Sequence, residues 1–167
     1  MTVVDLDESG RVRTLAAWIT ETAPTVVSRA TIDRIWPPNH AMVDVGHRIE
    51  TMFCGSAPPS RVSVHANEDD EMPTGDGVHA PDADREPGGA LRVRAERRGD
   101  GPGRVYIIAV VADDGRGHVG HDCSVVGVPH DLGKAAAAWL DVNMDAALRH
   151  CIEHGGEAPP GFVEVGE

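Results

Sequence analysis

Residues 91–112 read LRVRAERRGDGPGRVYIIAVVA. In the first five, Leu91, Val93 and Ala95 alternate with Arg92 and Arg94. Period-two alternation marks a strand with one face buried and the other in water. After a glycine-rich break, residues 104–112 are apolar in both phases. A short run of that kind, rich in β-branched residues, fits a strand covered on both faces. The stretch therefore predicts two strands joined by a loop, inside a β protein.

The same rhythm extends outward. Val43 and Val45 alternate around Asp44, and Val62 and Val64 alternate with Ser63 and His65. CSVVGV (123–128) follows a glycine-rich turn, and TAPTVVSRATIDRIW (22–36) is β-branched with little helical periodicity. At least five strands joined by Gly, Pro and Asp loops predict an all-β chain folded as an antiparallel sandwich. Residues 1–23 read as an N-terminal extension or the end of a preceding segment, with a turn at Glu8-Ser9-Gly10 and RVRTLAAWI as a strand or short helix. The sandwich spans 24–134. Residues 135–156 then predict an amphipathic helix, with Leu140, Met144, Leu148 and Cys151 on one face. Asp131 is placed to cap its start and Gly155-Gly156 to stop it. Residues 157–167 read as a tail.

Composition narrows the function. With 167 residues and 41% hydrophobic content, the chain can build one core, but 4% aromatic content makes that core aliphatic. A net charge of −12 argues against nucleic acid and anionic membranes as partners. No run of about 18 apolar residues occurs, so nothing is expected to insert in a membrane. The N-terminus does not read as a signal peptide, since acidic residues precede its apolar stretch. The chain is then either intracellular or a segment of a longer exported protein. Its three cysteines, Cys54, Cys123 and Cys151, form no CxxC pair, so a zinc ribbon or thioredoxin-like motif is not expected.

Four stretches together carry a family likeness: WPPNHAMV (36–43), NEDDEMPTGDGVHAPD (67–82), LRVRAERRGDGPGRVYIIAVVADDGRGH (91–118) and VGVPHDLGK (126–134). The chain resembles bacterial immunoglobulin-like repeats related to the hyalin-repeat family over about residues 24–134. It departs from the family pattern at Ala41, where lysine is usual, and at His118, where asparagine is usual. The C-terminal helix lies outside the likeness. The resemblance implies a seven-stranded immunoglobulin-like sandwich without catalytic activity, serving adhesion, spacing or display at the surface of exported proteins, against a protein or glycan partner. It also implies a disulfide between Cys54 and Cys123, leaving Cys151 unpaired and fitting an oxidising compartment. Three reduced thiols in a cytoplasmic protein are the alternative.

Several residues invite chemistry. Residues 68–86 carry eight carboxylates and one Arg. Calcium takes six to eight oxygen ligands on irregular loops. Asn67, Glu68, Asp69, Asp70, Asp76, Asp82 and Asp84 supply oxygens, and Glu68, Asp76 and Asp82 are the candidate ligands, the last two beside Gly or Pro. The EF-hand pattern is absent, so a solvated acidic loop remains the competing reading. His118-x-x-His121 is the transition-metal alternative, on which the chain would be a small metal-binding protein or metalloenzyme. A third reading is an intracellular assembly subunit with the acidic surface and the helix as its contact area, and the helix also offers a face for self-association.

The remaining picks are architectural. Trp36 and Pro37-Pro38 are expected to pin the start of a strand, with Asn39 and His40 tying its corner. His130 and Asp131 do the same at the far boundary. Tyr106, the only tyrosine, follows GDGPGRV at the start of the most apolar strand. That is the place of a tyrosine corner, where the phenol bonds a backbone group upstream. Neither G-x-S-x-G nor a nucleotide fingerprint occurs, so the sequence leans away from an enzyme.

Overall fold

The computed structural model describes residues 3–6, 12–15, 22–54, 58–69 and 79–166. It is β-rich, with antiparallel sheets and one helix near the C-terminus. In chain order the strands are β1 (Val3–Leu6), β2 (Val12–Leu15), β3 (Thr25–Arg29), β4 (Met42–Asp44), β5 (Arg48–Met52) and β6 (Ser60–Ala66). They continue with β7 (Ala83–Arg85), β8 (Leu91–Arg94), β9 (Gly103–Asp113) and β10 (Val119–Pro129). Helix α1 (Lys134–Glu153) and β11 (Val163–Glu164) complete the chain.

The central sheet has the order β10-β9-β6-β11, and a second sheet the order β4-β8-β7. Strands β3 and β5 pair separately, as do β1 and β2. The backbone at Asp33–Ile35 runs parallel to β10, with Ile35 N–H on the Gly127 carbonyl at 2.9 Å and Gly127 N–H on the Asp33 carbonyl at 2.8 Å.

Strand β9 organises the layers because its two faces are both buried, so both phases of its sequence must be apolar. Tyr106 and Ile108 join Val64, Ala66, Leu91, Val93, Ala95, Val126 and Val128 in the core between the two sheets. The opposite phase, Val105, Ile107 and Ala109, packs with Cys123 against Leu140, Met144, Ala147 and Cys151 of α1. The molecule is thus layered helix, sheet, sheet. Hairpin β9–β10 turns through Asp114–His118. Gly115 and Gly117 take φ of 73° and 95° there, and the Asp114 carboxylate accepts from the Arg116 and His118 N–H groups.

Three expectations change. Cys123 bonds Cys151, not Cys54, which is exposed with a free thiol. The reason is phase: Cys123 points to the helix side of β10, where Cys151 closes the helix's apolar stripe. Asp131 does not cap α1; its carboxylate accepts from Gly133 N–H at 2.6 Å, and Gly133 occupies the N-cap without a side-chain bond. Residues 157–167 are not merely a tail, because β11 pairs with β6 and Val165 is 2% exposed. Glu8-Ser9-Gly10 lies outside the described residues.

Candidate functional site

Arg104 stands two residues before Tyr106, so it shares the phase of β9 that faces the second sheet, near the start of the strand. A guanidinium at that position is 1% exposed and must find partners within the protein. Its Nε donates to Glu68 Oε2 at 3.0 Å, and one terminal nitrogen donates to the Tyr106 hydroxyl at 3.1 Å and to Asp82 Oδ2. Asp82 is fully buried, and its other oxygen accepts from Arg94 Nε at 3.1 Å. Glu68 also accepts from the Arg98 backbone N–H at 2.9 Å.

The network continues outward. Tyr106 donates to the Arg94 carbonyl at 3.0 Å, twelve residues upstream at the end of β8. Arg94 donates onward to the His40 carbonyl at 2.9 Å and the Pro81 carbonyl at 2.6 Å. His40 Nδ1 lies 3.1 Å from Glu96 Oε2, and Glu96 is 2% exposed. His40 holds φ of 62°, and its ring centroid is 4.3 Å from that of His79. One cluster thereby ties the approach to β4, both ends of the stretch 68–82, the end of β8 and the start of β9.

Electrostatics fit a structural cluster. Burial pushes the Asp82 carboxyl up, and the Arg104 charge pulls it back. Burial works against the Arg104 charge, but its phenol and carboxylate partners outweigh burial and hold the guanidinium above its ordinary value. Burial also raises the Tyr106 phenol, so it is a neutral donor near pH 7. Asn67 adds a backbone tie: its Oδ1 accepts from Val105 N–H at 2.7 Å and its Nδ2 donates to the Gly103 carbonyl at 3.3 Å.

No family model matches the chain, and no curated protein or solved structure matches it.

The residues picked for calcium are placed differently from a cation shell. Glu68 and Asp82 both face Arg104, so a guanidinium sits between them. Asp76 lies outside the described residues. Asp84 bonds Arg92, whose hydrogen bonds hold its carboxyl below the usual range.

The histidine pair faces two different partners. His118 Nδ1 lies 2.7 Å from Asp114 Oδ2 within the hairpin turn, while His121 Nε2 lies 2.9 Å from the Ile152 carbonyl at the end of α1. Among the described residues, no three His, Cys, Asp or Glu side chains gather to hold a metal ion.

At the strand corners, Asn39 Oδ1 accepts from Ala41 N–H at 3.2 Å, and His130 lies 3.1 Å from Asp131 and 3.2 Å from the Gly99 carbonyl. Trp36 is 45% exposed, and its neighbour Ile35, at 5%, enters the core in its place.

Sequence reading missed Arg94, Glu96 and Arg104. The available signal was phase. Arg104 falls on the inward side of the most apolar strand, where an unpaired charge would cost several kcal/mol. A second polar chain was also missed: the Ser28 hydroxyl lies 2.9 Å from His47 Nε2 and 3.1 Å from the Ser124 hydroxyl. Burial first, and the Arg85 charge second, lower His47 to about 4.

Proposed function

We propose that the chain is a non-catalytic immunoglobulin-like module that serves a structural or adhesive role in an exported or surface protein. Strand order is the observation that carries this reading. With β3 as A, β4 and β5 as a divided B, and β6, β7, β8, β9 and β10 as C to G, the pairings follow the A-B-E-D and C-F-G sheets of that fold. The Tyr106 bond across the E–F corner and the parallel run of Asp33–Ile35 along β10 agree with it. The likeness to hyalin-related repeats adds the expectation of a role in adhesion, spacing or display. Disulfide Cys123–Cys151 suits the oxidising compartment such a role requires.

The buried ion pairs of Arg104 support a structural role. Arg104 supplies from within the chain the positive charge that a calcium ion would otherwise bring to Glu68 and Asp82. No added cation is needed to hold those carboxylates together. Pulling single molecules of the full chain by its two ends tests the proposal. The expected result, once the C-terminal strand has come away, is one all-or-none rupture of the remaining sandwich, unchanged between millimolar calcium and chelator. Gradual extension at low force, or rupture only with calcium, contradicts it.

A further inference from the structure

The C-terminal segment completes the sandwich at its otherwise open edge. Val163 pairs with Ala66 and Glu164 with His65, and the Val165 N–H donates to the Val64 carbonyl at 2.9 Å. Val165 then enters the core shared by both sheets, at 2% exposure. Gly166, with φ of 85°, crosses to the other sheet so closely that a Cβ there would stand 2.0 Å from the Ala83 carbonyl oxygen. Phe162, half-buried, also packs against the helix-side core, so two apolar side chains, one glycine contact and a few backbone bonds hold the segment.

The seat is larger than its occupant. Strand β6 has seven residues, and β11 pairs with only the last two in register. A cavity of about 130 Å³ continues beside the segment, lined by Val62, Val64, Leu91 and Arg85. The connection from His154 to Gly161 holds three glycines and two prolines and is largely exposed. Elements held by few buried contacts open at low free energy without global unfolding.

We propose that the β6 edge is a strand-acceptor slot, and that residues 162–166 are a separable donor strand which a second copy of this chain can supply. Strand addition to an open edge takes its affinity from main-chain bonds and its specificity from alternate side chains. Val165 is that side chain here, and Gly166 is the residue that lets the backbone pass Ala83. Each copy carries both slot and donor, so a reciprocal exchange is two-fold symmetric and closes as a dimer.

The test uses the full chain with a specific protease site placed between Glu157 and Gly161, cut after folding. A labelled peptide of residues 161–167 should bind the cut protein saturably, and a Val165→Asp peptide should bind at least about tenfold more weakly. A fragment that never exchanges, a cut protein that unfolds, or a vacated edge that ignores the peptide each overturns the slot. In parallel, two differently tagged uncut copies are held concentrated just below the unfolding transition. They should co-purify as mixed dimers, and Gly166→Val copies should not. Wild-type copies that stay monomeric overturn the exchange between copies.

Discussion

Arg104 and Tyr106 place polar groups where water does not reach, and His47 is half-buried. Tyr106 is wholly buried, yet its hydroxyl both donates to Arg94 and accepts from Arg104. Tyr106→Phe keeps the ring and removes both bonds. It should cost about 1–3 kcal/mol in denaturant-induced unfolding, the penalty for leaving buried polar partners unsatisfied. His47 predicts a pH dependence. Its folded value is lowered to about 4, against 6.5 for the ordinary group. As pH falls between those limits, the unfolded chain takes up a proton that the folded chain refuses, so stability is lost. Below about 4 this loss levels off. His65, also lowered by burial, acts in the same sense. Unfolding free energies at pH 7.5 and 4.5 should therefore differ less in His47→Gln than in the wild type.

Among the elements, β9 and the helix were legible because each is long enough for its period to be unambiguous. The alternation at Leu91, Val93 and Ala95 and the double apolar phase of 104–112 became β8 and β9. The helix stripe became the layer over the outer face of the central sheet. Short strands were not legible: β5, β7 and β11 have five, three and two residues, and their place is set by neighbours remote in sequence. The disulfide was misassigned because the family likeness stops before the helix that contributes its second cysteine. Cys123 and Cys151 are 28 residues apart and join β10 to α1. Closing a loop of that size stabilises by about 3–4 kcal/mol through the unfolded chain. Reduction, or Cys151→Ser, should therefore lower the thermal midpoint clearly, while Cys54→Ser, at an exposed free thiol, should leave it unchanged.

For the whole molecule, the alternation of apolar and polar residues reached the β-rich architecture. It did not reach the candidate site, because composition can count carboxylates but cannot say what they face. Glu68 and Asp82 look like cation ligands when read along the chain. In three dimensions the cation beside them is Arg104, from a strand 22 residues beyond Asp82. Glu68 and Asp82, near the two ends of the acidic stretch, are thereby anchored to the strand that carries Tyr106.

The central claim is that this buried guanidinium and its carboxylates act as one architectural unit. A double-mutant cycle on Arg104→Met and Asp82→Leu, followed by chemical unfolding, tests it most directly. Arg104→Met alone should destabilise by about 3–5 kcal/mol, because it strands buried carboxylates. The double variant should recover part of that loss, giving a coupling energy of about 1.5–3 kcal/mol. Single effects that add to within about 0.5 kcal/mol would contradict the account.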